Sequence, residues 1–233
     1  MRGAGTITIT FVAIMAAGMG TAAAGSPQLR CSHGGEHPQA VRSLAVVHAP
    51  APTLTATVYD YVGVGEENIA GVEQIVDAIY RSAGVAIRWL SACDISRPIG
   101  LTVNLLGKSA VHEVMREDAL GFADYQSVTA NVLYDRVITA ASVTKFRPAP
   151  VIGCVMAHEL GHLLLGPGSH SSDGIMRPGF NPASRCWSES FSRQQAARIA
   201  RAVAGVAVAA AAEVRETSEF QSLPKDSPAM PFE

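Results

Sequence analysis

Residues 158 to 170 read HELGHLLLGPGSH, three histidines and one glutamate inside an otherwise apolar, glycine-broken stretch. His158 and His162 are four apart, so on a helix both imidazoles leave one face about a turn from each other and can meet a single ion. Glu159 stands three residues before His162 and lies near the same face. Its carboxylate can there reach a metal-bound water without binding the metal itself. Three ionisable groups on an apolar helix are costly to bury alone, and a metal supplies the missing partner. The chemistry on offer is hydrolysis by a Zn2+-activated water with Glu159 as general base.

Such a site takes a third protein ligand and keeps its fourth position open. Gly166-Pro167-Gly168 stops the helix and turns the chain, and His170 arrives eight residues after His162, which makes it the leading candidate. Asp173 in the same loop and Glu189, 27 residues past His162, are rivals ranked below it. Cys154 faces the same way as His158, but eight residues of helix separate it from His162, a span of about 12 Å. Cys154 is therefore read as structural.

The elements that must carry these groups follow from periodicity. Leu54 to Val62 alternates as a strand, Glu66 to Ala83 has helical spacing ended by Gly84, and Val85 to Leu90 and Leu101 to Leu106 are further strands. Ala119 to Tyr125 (ALGFADY) reads as an edge strand and Ala130 to Val137 (ANVLYDRV) as another strand. After the Pro148/Pro150 pair, Val151 to Leu165 is expected as a buried helix, and Phe191 to Val214 as a C-terminal helix.

The ends of the chain have a different character. Arg2, the apolar run Ile7 to Met15 and the small residues Thr21-Ala22-Ala23-Ala24 follow the plan of a signal peptide over 1–24, so the protein is expected to be secreted or periplasmic, with no stable membrane insertion after cleavage. A flexible arm over 25–52, one domain over 53–215 and a polar tail over 216–233 complete the organisation. The arm carries Cys31, His33 and His37, which would let it block a metal site as a pro-segment. Export permits disulfides, and Cys31, Cys93, Cys154 and Cys186 allow three pairings. Eighteen basic against 20 acidic residues, with no Lys/Arg run, argue against a nucleic-acid partner.

HELGHLLLGPGSH followed by SSDGIMRP resembles the metzincin zinc endopeptidases, particularly the matrixin type, whose HExxHxxGxxH motif precedes a Ser-rich turn and a methionine beneath the metal. The resemblance spans roughly residues 54 to 205, with its specific part at 158 to 178. By it, Met176 is the turn methionine. It also implies an α+β fold: a mixed, mostly parallel twisted sheet with an antiparallel edge strand, packed on two helices including the zinc-binding one, plus a C-terminal helix. The edge strand near Gly121 to Tyr125 would bind substrate by strand addition. This chain departs from the motif with one extra residue before the glycine and one after it, giving HExxHxxxGxxxH, and Arg177 rather than a tyrosine follows Met176.

The expected function is a secreted zinc-dependent endopeptidase acting on a peptide or protein substrate. The alternative is a secreted non-catalytic zinc-binding or interaction protein that retains such a site. Glu159 separates the two, because a purely structural site has no use for a base there, whereas a fourth protein ligand would close it.

Overall fold

The computed structural model describes residues 51–91, 100–108, 118–179 and 185–205. The expected signal peptide, all but the end of the arm, the tail, Cys31, His33, His37 and Cys93 lie outside these residues.

The fold is α+β. Strand β1 (Thr53–Asp60) leads through helix α1 (Glu66–Ser82) to β2 (Ala86–Leu90), and β3 (Leu101–Leu106), β4 (Gly121–Asp124) and β5 (Thr129–Leu133) complete one five-stranded sheet of order β2-β1-β3-β5-β4. β1 pairs in parallel with β2 and β3, β3 pairs in parallel with β5, and β4 lies antiparallel on β5 as an edge. Helices α2 (Tyr134–Thr144) and α3 (Pro148–Leu165) follow, then a short 3-10 turn (Cys186–Ser188) and helix α4 over 193–205.

Alternation along the strands creates the core. Leu54 and Ala56 of β1, Val103 and Leu105 of β3 and Gly121 and Ala123 of β4 are buried at every second position, whereas all five residues of β5 are buried. Leu54, Val103, Leu105, Ala130 and Val132 form one apolar core with α1 and α3, which supply Val72, Val76, Ile79, Tyr80, Ile152, Val155, Met156 and Leu160. Gly153 lets the two helices approach closely, since a Cβ there would meet Ile75 Cγ2 at 2.8 Å. The β1–α1 turn is tied by Asp60, whose carboxylate accepts hydrogen bonds from the amides of Val62, Gly63 and Gly65 at 3.1, 2.9 and 3.1 Å.

Two expectations need correction. Tyr134 to Val137 does not continue β5: the strand ends at Leu133 and α2 begins at once, with no glycine or proline between them. Val137, Ala140 and Ala141 are the buried residues of α2, a helical spacing that overrides the aromatic and β-branched look of the segment. α3 also starts earlier than expected, at Pro148, because both prolines sit in the first turn, where an amide has no intrahelical acceptor to lose. α3 is long and apolar enough to cross a membrane by composition, yet it is mostly buried inside the fold.

Candidate metal centre

α3 carries the first two histidines into the core. His158 and His162 are almost wholly buried, at 1% and 0% exposure, and Glu159 between them is at 0%. Tyr80 of α1 braces this part of the helix, donating its hydroxyl hydrogen bond to the Ala157 carbonyl at 3.2 Å while packing edge-on against Phe191.

Gly166, at φ +87°, ends α3 in a conformation that an L side chain resists, and its amide donates to the His162 carbonyl at 2.8 Å. The chain then returns so that His170 faces the helix. The Nε2 atoms of His158 and His170 lie 3.0 and 3.1 Å from Nε2 of His162, and all three lie within 4.8 Å of one another. Three nitrogens bound to one tetrahedral ion at about 2.0–2.1 Å would stand about 3.3 Å apart. One imidazole hydrogen on His162 Nε2 cannot serve both neighbours, so three converged nitrogens fit a shared cation better than hydrogen bonding among themselves.

The protonation chemistry agrees with that donor set. His158 Nδ1 lies 2.8 Å from the Ile175 carbonyl, which only accepts, so the ring proton sits on Nδ1 and the Nε2 lone pair faces inward. Burial, and then the neighbouring histidines, hold His158 well below the ordinary imidazole range; burial and His170 bring His162 down to about 4, and burial lowers His170. Neutral imidazoles at neutral pH are what ligation requires.

Met176 packs against α3 at Gly161. It is fully buried, and Gly161, between the two helical histidines, makes room for it: a Cβ there would meet Met176 Sδ at 2.6 Å and Phe191 Cε1 at 3.1 Å. The turn that presents Met176 closes with the Arg177 amide donating to the Gly174 carbonyl at 3.1 Å, and the Ser171 amide donates to the Met176 carbonyl at 3.0 Å.

Glu159 is the most exceptional group. Neither carboxylate oxygen has a hydrogen-bond partner among the described residues, and burial pushes its pKa well above the usual carboxylate range. A buried carboxylate with no partner is costly, and a cation held by the neighbouring histidines would offset that cost. β4 closes on it directly, since a Cβ at Gly121 would meet Glu159 Cγ and Oε1, both at 2.9 Å. The Tyr125 hydroxyl, just past β4, is also buried and has no hydrogen-bond partner among the described residues; burial and then the charge of Glu159 push it up to about 12.

Of the candidates read from the sequence, His158, His162 and His170 are thus brought together, with Glu159 next to His158 on α3 and Met176 packed at Gly161. Asp173 is exposed and Glu189 does not join the cluster, which is the only metal-ligating group of its kind among the described residues. Cys154 is bonded to Cys186 in a disulfide, as its structural reading anticipated. Sequence reasoning missed Ser169, whose Oγ is 3.0 Å from His162 Nδ1, and Gln195, which donates to the Ser169 carbonyl at 3.0 Å. The Ser192-x-x-Gln195 spacing of a capping box was a signal for the second of these. No protein-family model matches the chain, and a search of curated proteins finds no match.

Proposed function

We propose that the protein is a secreted zinc-dependent endopeptidase of metzincin-like build. The observation that carries this reading is a buried, unpartnered Glu159 beside three converged histidine nitrogens. A site serving stability alone would have no use for such a group, because its carboxylate lowers stability wherever nothing satisfies it.

His158, His162 and His170 would hold the ion through Nε2. Zinc bound there supplies a water of lowered pKa and polarises the substrate carbonyl. Glu159 would take a proton from the attacking water and deliver it to the leaving amine, the role its place beside His158 and His162 on α3 allows. β4, as the antiparallel edge, would offer the side that no described strand pairs to an extended peptide, and Gly121 brings that edge against Glu159. The signal-like residues 1–24 support export.

The test pairs zinc stoichiometry with cleavage of a broad peptide library. Glu159→Gln is expected to keep the metal and lose peptide hydrolysis by about 10²–10⁴-fold, whereas His170→Ala loses most of the metal. Full hydrolysis by Glu159→Gln would sink the base assignment, and undiminished zinc in His170→Ala would sink the third ligand.

A further inference from the structure

The segment that delivers His170 is longer than the motif it resembles, and a longer connection needs more to fix its end. Its anchor comes from α4. The Ser169 backbone carbonyl accepts a hydrogen bond from Gln195 Nε2 at 3.0 Å, and its Oγ stands 3.0 Å from His162 Nδ1. Ser169 and Gln195 are both buried, at 8% and 7% exposure. Gln195 is itself fixed at the start of α4, because its Oε1 accepts from the Ser192 amide at 3.1 Å while its own amide donates to Ser192 Oγ at 3.3 Å. One turn further along α4, Arg198 Nη2 donates to the Leu165 carbonyl at 2.6 Å, capping α3 where the loop begins.

We infer that Gln195 and Ser169 are positioning residues for the metal, a clamp through which α4 sets both the ring orientation of His162 and the reach of His170. The inference rests on the metal reading proposed above. With Nε2 of His162 turned to an ion, the ring proton sits on Nδ1 and is donated to Ser169 Oγ, which fixes the tautomer. The same residue's carbonyl is held by Gln195, and His170 is the next residue in the chain, so the three groups are set together. Metal affinity is thereby coupled to the docking of an element that contributes no ligand.

Gln195 has two separable jobs, capping α4 and holding Ser169, and one substitution divides them. Gln195→Glu keeps an oxygen for the Ser192 amide, so the cap survives, but it has no hydrogen to donate to the Ser169 carbonyl. The full chain is titrated with zinc against a competing chelator, and the metal-free forms are compared by circular dichroism and thermal melting. Gln195→Glu and Ser169→Ala are each expected to weaken zinc binding by about 10–100-fold, with Ser169→Thr, which keeps the hydroxyl, restoring most of it. Ser192→Ala is expected to lower the melting temperature of the metal-free protein without changing zinc affinity. If the wild-type chain binds zinc and Gln195→Glu and Ser169→Ala bind it as tightly, the clamp is overturned while the metal site stands. A wild-type chain that binds no zinc overturns both.

Discussion

Gly121 is the place where one methyl group would reach the proposed base. A Cβ there meets the Asn131 carbonyl oxygen at 2.7 Å and Glu159 Oε1 at 2.9 Å. The carbonyl belongs to the β4–β5 ladder, so β4 must shift against its partner and Glu159 must give way as well. Gly121→Ala is therefore expected to lower turnover by about tenfold or more at unchanged zinc stoichiometry, and to cost about 1–3 kcal/mol of stability. Wild-type turnover in this variant would show that the position of Glu159 is not critical. At this scale the sequence was legible where one local geometry links the residues: the spacing of His158, Glu159 and His162 is itself a statement about a helix face, and Gly166-Pro167-Gly168 about a turn. Ser169 and Gln195 were not legible as partners, because their contact spans 26 residues and only the assembled fold brings them together.

Among the elements, α1 carries a charge arrangement independent of the metal. Glu73 and Asp77 are one turn apart, and Asp77 accepts a hydrogen bond from Trp89 Nε1 at 3.1 Å across to β2. Burial, and then the charge of Asp77, raise Glu73 from 4.5 to about 7. The folded state thus holds this proton more tightly than the unfolded chain does. The resulting stabilisation is complete below the unfolded pKa and is lost as pH rises through about 7. Glu73→Gln should flatten that decline. At about pH 8 it should melt about 2–4 °C above wild type, the equivalent of about 1 kcal/mol once the solvent-exposed part of the side chain is discounted. Parallel melting profiles for the two proteins across this range would refute the assignment. The order of strands and helices could be read from periodicity except at β5 and α2. There a strand passes into a helix without a punctuating residue, and Ala130 to Val137 fits a period of two well enough to hide the helical spacing of Val137, Ala140 and Ala141.

Across the whole molecule, the Cys154–Cys186 disulfide joins α3 to the short 3-10 turn before α4, with 5.9 Å between Cα atoms and 32 residues of sequence separation. Sequence alone left three pairings open, since pairing depends on which segments meet in space. Closing a loop of that length restricts the unfolded chain by about 4 kcal/mol, so replacing both cysteines by alanine should lower the melting temperature by about 8–16 °C. A loss of only a degree or two would mean that the packing of α3 carries the joint without the bond. The covalent ring also has a topological consequence. His158, Glu159, His162, His170 and Met176 all lie between its two cysteines. A single backbone cut anywhere in that interval opens the ring without releasing a fragment. An endopeptidase of the kind proposed above would be open to attack by its own copies, and one such cut would leave His158, His162 and His170 tethered to the same molecule.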